Sequence, residues 1–423
     1  MTIVAKFKKR FYFVVAKYFR YFADRSLKRW DPRIIAVTGS AGKTTMLHLL
    51  EHEIGQKAHY SHDANSIFGI PFDILGLKGI RGSKLRWIYL LIAAPVKSLY
   101  YRHKEPFYVV EIDGERPHET EALATWLKPE VTIWVSVGLS HAVKFEAVVA
   151  DGKFNSLEEA IASEFATLPK NTQKLVYIDK SSPIMVKMTA DIKAKVVQIN
   201  KSDMKRYIVY PDSTDFAYGA AKFHFDHPEP KDLAFHLLVI KDLLKYLNLP
   251  FNPDFSDVVL PPGRSSYFKG KKGIEIIDSS YNAHIISMES TLDMFRRMHA
   301  EHKWLVIGDI VEQGSIEKTE HEKLAELIAG VEPENIILVG KRTKKYTAPK
   351  LKELGFSAHT TLEPQKALEY LKKRTKGNET IFFKGSQYLE WIIEQLLENP
   401  DDAEKLCRRE KAAVKRRKAR GLN

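Results

Sequence analysis

The sequence predicts an α/β protein in which a mostly parallel central sheet carries a phosphate-binding loop (P-loop) and a smaller Rossmann-like domain follows. Three observations support this fold class. β-Branched runs alternate with helical segments, the first run ends in a glycine-bracketed loop, and Pro261-Pro262-Gly263 interrupts the series. Strands that alternate with helices form parallel sheets covered on both faces. A chain of 423 residues is long enough for two or three domains with cores of their own.

The predicted boundaries divide the chain into four parts. These are a basic, aromatic, amphipathic helix (1–32), a central nucleotide-binding domain (33–262), a Rossmann-like C-terminal domain (263–400) and a basic tail (401–423). The main boundary is placed at the Pro-Pro-Gly sequence because these residues interrupt helices and strands alike. The tail is predicted to be either a charged helix or a disordered basic end.

The excess positive charge lies at the two ends of the chain. Of the net charge of +13, residues 1–33 hold 10 Lys and Arg against 2 acids, and residues 401–423 hold 9 against 4. Residues 34–400 carry 47 charges of each sign. The sequence therefore describes a neutral body with two basic appendages. The single cysteine, Cys407, excludes an internal disulfide and is typical of a reducing cytoplasm.

Two apolar segments have two interpretations each. Residues 6–30 predict a helix with an aromatic stripe, which is either a membrane-interface helix or a helix docked on the protein itself. The stripe consists of Phe7, Phe11, Val14, Val15, Tyr18 and Phe22. Residues 83–104 are apolar with basic ends, which indicates a second membrane-facing element or a buried helix. The longest apolar run, 87–96, is too short to span a bilayer, and no signal peptide is evident.

The first predicted strand leads into a phosphate-binding loop. A β-branched run ending at Thr38 is followed by a glycine-rich loop and then by apolar residues at helical spacing. The loop residues are Gly39, Ser40, Ala41, Gly42, Lys43, Thr44 and Thr45. Backbone N–H groups and the helix dipole favour a phosphate at such a position, Lys43 is placed to meet the terminal phosphates, and the Thr44 hydroxyl is a natural Mg²⁺ ligand. The loop is a variant, because Val37 stands where the common motif has glycine.

Two further candidate residues follow predicted strands. Glu111 ends the apolar run that starts at Phe107, and His141 comes four residues after the run 131–137. Ligands of open α/β sheets bind beyond the carboxyl ends of the strands, so both residues are expected to face the phosphate loop. One carboxylate and one imidazole beside a triphosphate suit Mg²⁺ that is completed by phosphate oxygens and water.

The ordered series of motifs resembles the Mur ligase family, whose members join an acid to an amine with ATP. The resemblance covers about residues 31–398. It rests on the segments 38–45, 65–71, 278–283, 308–314 and 384–386, together with Glu111 and His141. It implies an acyl-phosphate mechanism with ATP and Mg²⁺ as cofactors, acting on a small-molecule acid and amine of peptidoglycan synthesis.

The resemblance also implies roles for individual residues. Lys43 and Thr44 would bind the β- and γ-phosphates and a first Mg²⁺, with Glu111 and His141 supporting the metals. The acid-substrate and phosphate region would include Asn65 and Ser66. The remaining implied positions are Arg264 at the nucleotide, Asp278, Tyr281 and Asn282 at ribose and adenine, and Asp309 and Lys384 at the substrate.

Three departures from the family pattern bear on these expectations. Family members carry a carbamylated lysine 20–25 residues after the metal histidine, whereas residues 160–168 contain no lysine; Glu158, Glu159 or Glu164 could substitute. The phosphate-loop strand starts at Arg33, so the family's N-terminal UDP-sugar domain is expected to be missing. Ser279 and the dipeptide 284–285 replace the usual second Asp and the Asn-Pro of the adenine loop.

The expected function is an ATP-dependent amide ligase of Mur type in the cytoplasm, with peripheral membrane contact through residues 1–30. The alternative is a non-ligating nucleotide-binding protein whose basic termini hold a membrane or a partner. Nucleic-acid binding ranks last because no recognition motif accompanies the basic ends.

Overall fold

A computed structural model describes residues 3–62, 64–79, 85–139 and 141–422, with side chains described from Tyr12 onward. The chain forms two compact units. The first contains residues 1–138, 144–200 and 239–250, and the second contains residues 139–143, 201–238 and 251–423. The fold class expected from the sequence is confirmed, since each unit is built around a mostly parallel sheet with helices.

The first unit contains a six-stranded parallel sheet in the order β2-β3-β1-β4-β5-β6. Its strands are β1 (Arg33–Thr38), β2 (Ala58–Tyr60), β3 (Phe107–Ile112), β4 (Val131–Trp134), β5 (Leu175–Asp179) and β6 (Lys195–Ile199). The helices in this part of the chain are α1 (Ile3–Trp30), α2 (Lys43–Ile54), α3 (Gly69–Ile74), α4 (Arg86–Tyr100), α5 (Glu119–Leu127), α6 (Ala142–Ala150), α7 (Leu157–Lys170) and α8 (Pro183–Met188). The chain leaves β1 towards one edge of the sheet and later crosses to β4 on the other side, so the phosphate loop lies at the topological switch point.

Helix α1 packs on the protein with a face that differs from the predicted stripe. Phe19 and Ala23 are completely buried, and Phe19 contacts the ring of Phe72 at a centroid distance of 4.8 Å. Val14 and Tyr18, both placed in the stripe, are 63% and 37% exposed. The predicted apolar face is therefore wrong in part, because the helix is rotated so that Phe19 enters the core below it. The side chains of Phe7 and Phe11, which belong to the predicted stripe, lie outside the described residues.

Helix α4 occupies most of the second apolar segment and is not a buried helix. Leu90, Ala94 and Ser98 form its buried side, at intervals of four residues. Its other side is exposed and apolar. No helix in the described part of the chain is long and apolar enough to cross a membrane.

The second unit contains a six-stranded sheet in the order β10-β11-β15-β12-β13-β14, in which only the β10–β11 pair is antiparallel. Its strands are β10 (Ser266–Lys269), β11 (Glu275–Asp278), β12 (His302–Gly308), β13 (Asn335–Val339), β14 (His359–Thr361) and β15 (Glu379–Lys384). The helices after residue 230 are α9 (Leu233–Leu247), α10 (Ile285–Arg297), α11 (Glu317–Ala329), α12 (Ala348–Glu353), α13 (Pro364–Arg374), α14 (Leu389–Leu396) and α15 (Lys411–Lys418). The predicted alternation of strands and helices beyond residue 263 is thus present.

A small antiparallel sheet in the second unit was not predicted. It consists of β7 (Arg206–Val209), β8 (Thr214–Tyr218) and β9 (Ala221–Phe225). Its strands are four or five residues long and joined by short turns. Such strands give a weak periodic signal, and they precede the predicted domain boundary.

The basic tail folds back onto the second unit. Arg409 and Arg417 both bind Glu394 of α14, at 2.8 and 2.6 Å, and Arg408 binds Glu390 at 3.0 Å. Of the two predicted alternatives for the tail, the helical one is therefore correct.

Candidate functional site

The phosphate loop begins where β1 ends and closes into the first turn of α2. Gly39 has a φ of 136° and Gly42 a φ of 84°, values that side chains with a Cβ rarely adopt. A Cβ on Gly39 would lie 2.7 Å from the Ser136 carbonyl oxygen, so glycine is also required by the close approach of the chain after β4. The loop is consequently a preformed concave backbone at a helix N-terminus, which is an anion-binding geometry.

Ser136 and Ser40 hold this loop against the segment that follows β4. The Ser136 hydroxyl accepts a hydrogen bond from the Ala41 amide and donates to the Ala41 carbonyl, both at 2.8 Å. The Ser40 hydroxyl donates to the Gly138 carbonyl at 2.9 Å. The segment after Trp134 holds the phosphate loop instead of continuing the sheet. These contacts explain why β4 ends at Trp134 and not at residue 137 as predicted.

Lys43 points into the loop that precedes it. Its ammonium group is buried, donates to the Gly39 carbonyl at 2.6 Å and lies 3.4 Å from the Asp113 carboxylate. The ammonium group is thus directed at the backbone concavity of the loop. Asp113 was not among the predicted site residues, although it follows the strand-end Glu111 by two positions.

Thr44 and Glu111 form a pair of oxygen ligands. The Thr44 hydroxyl donates to the Glu111 carboxylate at 2.9 Å, and the Asn65 amide donates to its other oxygen at 3.4 Å. Glu111 lies opposite Val37 in the parallel β1–β3 pair, which places its side chain beside the loop. Adjacent oxygens of an octahedral Mg²⁺ with bonds near 2.0–2.1 Å lie about 2.9 Å apart. The separation of the two oxygens therefore fits a magnesium ion.

Two other predicted residues, Ser66 and Glu164, accept hydrogen bonds from backbone amides at the starts of helices. The Ser66 hydroxyl accepts the Gly69 amide at 3.1 Å at the start of α3. Glu164 accepts the His118 and Thr120 amides at 2.8 Å each, at the start of α5. Burial raises the pKa of Glu164, an effect that these amides oppose.

In the second unit, Asp278 and Lys384 end the neighbouring parallel strands β11 and β15. Asp278 is fully buried and accepts the Ser280 amide at 2.9 Å, and burial raises its pKa. The Lys384 ammonium donates to the Asn282 carbonyl at 3.2 Å. Burial and the nearby positive charge of Arg264 lower the pKa of Lys384 to about 7. Lys384 is thus able to change protonation state near neutral pH.

Arg264, which is partly buried, and the exposed ring of Tyr281 lie beside this pair. The guanidinium group of Arg264 lies over the Tyr281 ring, 4.9 Å from its centroid. Tyr281 is 42% exposed, and Arg408 of the tail donates to its carbonyl at 2.9 Å. An exposed ring with a cation on one face is suited to stacking on a planar base.

Asp309 has its polar contacts within its own domain. One carboxylate oxygen accepts the Arg342 and Thr343 amides, at 3.1 and 2.9 Å, and the other accepts the Gln387 side chain at 3.3 Å. The residue is completely buried. Its predicted contact with a substrate stays a prediction, and its visible role is to hold three loops together.

His141 groups with the second unit. Its Nδ1 lies 3.1 Å from the Glu312 carboxylate, and its ring lies 5.9 Å from that of His284. Glu312 belongs to a motif noted in the sequence but was not among the predicted site residues. The backbone of His141 has a φ of 54°, so this residue is held in an uncommon conformation.

Comparison with known proteins finds a family model that matches part of the second unit. Residues 263–387 match the model of the Mur ligase, glutamate ligase domain. This segment is therefore similar to a Mur ligase domain. The match begins at Gly263, the last residue of the Pro-Pro-Gly sequence.

The chain as a whole has the fold of Mur ligases. The MurF ligase from Thermotoga maritima, solved in complex with ADP, covers 92% of this chain with a TM-score of 0.72 and 20% identity, over 84% of its own length. Folylpolyglutamate synthase from the same organism has a TM-score of 0.53 and 13% identity, covering 94% of this chain and 100% of its own. At these identities the likeness concerns the fold.

Curated Mur ligases also match in sequence. The UDP-N-acetylmuramoyl-tripeptide–D-alanyl-D-alanine ligase of Borreliella burgdorferi is 22% identical over 345 residues, which cover 77% of this chain and 66% of the relative. The ligase of the same name from Bacillus subtilis is 29% identical over 142 residues, covering 32% and 31%. The chain thus spans less than two thirds of the length of these relatives.

Proposed function

We propose that this protein is an ATP-dependent ligase that activates a carboxylate as an acyl phosphate and joins it to an amine. The observation that carries the proposal is the arrangement of Lys43, Thr44 and Glu111 around the phosphate loop. A charged ammonium, a hydroxyl and a carboxylate converge within a few ångströms of a helix N-terminus. This arrangement suits a nucleoside triphosphate with Mg²⁺. The relatives that are named as ligases and the ADP bound to the Thermotoga protein also support the proposal.

The roles of the residues follow from their chemistry. Mg²⁺ held by Thr44 and Glu111 would neutralise charge on the β- and γ-phosphates when bound. Lys43 would stabilise the negative charge on the transferred phosphoryl group, and the glycine backbone of the loop would hold the β-phosphate. An oxygen of the substrate carboxylate attacks the γ-phosphorus, the bond to the bridging oxygen breaks, and ADP leaves.

The second half of the reaction is assigned to the Mur ligase domain. The amine nitrogen attacks the acyl carbon, the bond to the phosphate oxygen breaks, and inorganic phosphate leaves while the amine loses a proton. Arg264 and Tyr281 would hold the base of the nucleotide, and Asp278 and Asn282 would border its ribose. Lys384 would contact a substrate; its ammonium lies at the end of β15, where burial and Arg264 lower its pKa to about 7.

For His141 we propose a supporting role at the metals, and for Asn65 and Ser66 a position in the acid-binding region. Asn65 already bonds the carboxylate that is assigned to Mg²⁺. The acid and amine are proposed to be a peptidoglycan precursor and an amino acid or dipeptide. A cytoplasmic location is proposed with them, because such precursors are cytoplasmic substrates.

A second candidate is a nucleotide-binding protein that does not ligate. The observation favouring it is the helix α7, where residues 160–168 contain no lysine and Glu164 is engaged by two backbone amides. Neither feature supplies an obvious ligand for a second metal ion.

Phosphate release decides between the two. The full chain is incubated with ATP, Mg²⁺ and candidate acid–amine pairs, and each component is omitted in turn. A ligase releases phosphate only when acid and amine are both present, and the amide product appears in equal amount. Phosphate release that requires neither substrate would contradict the ligase proposal and leave a simple ATPase.

A further inference from the structure

The exposed side of α4 is apolar along its whole length. Leu85 and seven helix residues have exposed fractions between 39% and 78%, while the opposite side packs on the core. The seven are Ile88, Tyr89, Leu91, Ile92, Val96, Leu99 and Tyr100. Soluble monomers rarely expose a contiguous apolar patch of this kind. A helix that only covered the core would carry polar residues outside.

Helix α1 adjoins this surface. The Tyr18 hydroxyl donates to the Leu91 carbonyl at 2.7 Å, which places the exposed side of α1 beside α4. Val14 and Tyr21 add apolar side chains that are 63% and 61% exposed. We call the exposed apolar residues of α4 together with Val14, Tyr18 and Tyr21 the α4 face.

The charges around the α4 face are basic. Residues 78–104 contain seven Lys and Arg and no Asp or Glu. At the end of α4, Arg29 donates to the Ser98 carbonyl at 2.6 Å. Burial and the positive charges of Arg102 and Arg25 lower the pKa of Arg29, so three guanidinium groups are close neighbours. An anionic surface would relieve this mutual repulsion.

We propose that the α4 face binds an anionic lipid surface, with α4 lying in the plane of the interface. Apolar side chains would enter the boundary between headgroups and acyl chains, and the basic rim would contact lipid phosphates. A lipid surface is favoured over a protein partner because residues 78–104 carry seven Lys and Arg and no Asp or Glu. The sequence predicted peripheral contact through residues 1–30 and left a second membrane-facing element open for residues 83–104. The structure buries Phe19 of the first helix and leaves one side of α4 exposed. The proposal does not depend on the ligase function.

The test is co-sedimentation of the full chain with vesicles. We expect binding to phosphatidylglycerol vesicles at low salt and weak binding to phosphatidylcholine vesicles. Ile92→Asp should reduce anionic binding on the order of tenfold or more, because a charge would enter the apolar boundary. The matched control is Val259→Asp, since Val259 is 81% exposed in the second unit and should bind like the wild type.

Circular dichroism and the melting temperature verify that both variants are folded. Equal vesicle binding by Ile92→Asp and the wild type would overturn the proposal. So would a wild-type dimer in solution that Ile92→Asp dissociates while vesicle binding is unchanged, because a second copy of the chain would then cover the α4 face.

A separate cluster of three possible metal ligands joins α2, the helix that starts at the phosphate loop, to the segment after β2. His62 Nε2 is 2.8 Å and His48 Nδ1 is 3.7 Å from the same carboxylate oxygen of Glu51. The three ligand atoms all lie within 4.8 Å of one another. His48 and Glu51 are one helical turn apart, while His62 follows β2, so the cluster joins two elements.

The geometry points to a site for a transition-metal ion of the Zn²⁺ class, which would be bound by His48, Glu51 and His62. Tetrahedral Zn²⁺ with bonds of about 2.0–2.1 Å separates its ligand atoms by roughly 3.3 Å, so small side-chain movements suffice. Two imidazoles and one carboxylate are a common ligand set for this metal, and half-exposed side chains leave the fourth position to water. Bound metal would fasten the first helix of the phosphate loop to the strand beside it.

Zn²⁺ affinity is measured by chelator competition on the full chain, without nucleotide and in excess Mg²⁺. His62→Ala and His48→Ala should each weaken binding on the order of tenfold or more, and Co²⁺ should give a visible absorption band in the wild type only.

The control is His302→Ala, which removes a histidine that also lies beside a glutamate carboxylate. His302 lies 2.7 Å from the Glu334 carboxylate, and in the described part of the chain no third ligand joins this pair. Its loss should leave the affinity unchanged. Equal affinity in the wild type and His62→Ala, or an equal loss in His302→Ala, would overturn the site.

Discussion

The Thr44 hydroxyl lies 2.9 Å from a carboxylate oxygen of Glu111, although 67 residues separate them in the chain. The contact arises because β1 and β3 are parallel neighbours whose carboxyl ends meet at the same edge of the sheet. The strand supplies the carboxylate and the loop supplies the hydroxyl. A hydroxyl and a carboxylate oxygen therefore lie side by side at the phosphate loop.

Replacing Lys43 by alanine should reduce ATP turnover on the order of 10²-fold or more, because a positive charge at the transferred phosphoryl group is lost. The fold should be retained, since only one buried ammonium is removed. Lys57→Ala, an exposed lysine just beyond α2, is the control and should keep wild-type turnover. Activity of Lys43→Ala within a few-fold of the wild type would remove the loop from the mechanism.

Replacing Glu164 by glutamine should lower the melting temperature and leave the Mg²⁺ dependence of turnover unchanged. The carboxylate accepts two backbone amides at the start of α5, which is a stabilising contact rather than a metal site. Glu158→Gln, on the exposed side of the same helix, should change neither property. Turnover should also be independent of dissolved CO₂, because residues 160–168 contain no lysine to carbamylate. A raised Mg²⁺ requirement in Glu164→Gln would show instead that this residue serves the metal.

Replacing Phe19 by alanine should reduce the free energy of unfolding by about 3–5 kcal/mol, the usual cost of removing a buried aromatic ring. Phe19 is completely buried and contacts Phe72. Val14→Ala on the same helix should change stability by less than about 0.5 kcal/mol, because Val14 is 63% exposed. Urea unfolding of both variants checks this. Similar small effects would mean that α1 does not belong to the folded core.

Replacing Glu130 by glutamine should reduce stability at pH 7 by about 1–2 kcal/mol, after discounting for solvent screening. Hydrogen bonds from Arg33 and Tyr246 lower the pKa of Glu130 to about 2, against about 4.3 for an unfolded chain. A carboxylate with a lowered pKa contributes stability that is complete above the unfolded value and is lost as the pH falls towards 2. The difference between wild type and variant should therefore shrink from about pH 4 downward. Glu369→Gln, at an exposed position, is the control and should keep the wild-type stability at pH 7.

Local patterns in the sequence predict much of the fold. The run ending at Thr38 and the glycines after it predict the phosphate loop, and the alternation of β-branched runs with helical segments predicts the alternation of strands and helices. The position of Glu111 beside the loop could also be inferred, since strand ends of a parallel sheet meet at one edge. These features depend on near neighbours in the chain or on a general rule of topology.

The tertiary structure decided the remaining features, which depend on contacts between distant residues. The face of α1 that is buried depends on Phe72, and the position of the tail depends on Glu394. The Ser136 hydroxyl bonds the phosphate loop at Ala41, 95 positions earlier in the chain. No local periodicity in the sequence indicates such a contact. An apolar stripe likewise has the same pattern whether the chain itself or a membrane covers it. By itself the sequence determined the phosphate loop and the alternation of strands and helices around it, and only tertiary packing determined that α1 covers the core while α4 remains exposed, because burial is a property of the assembled surfaces.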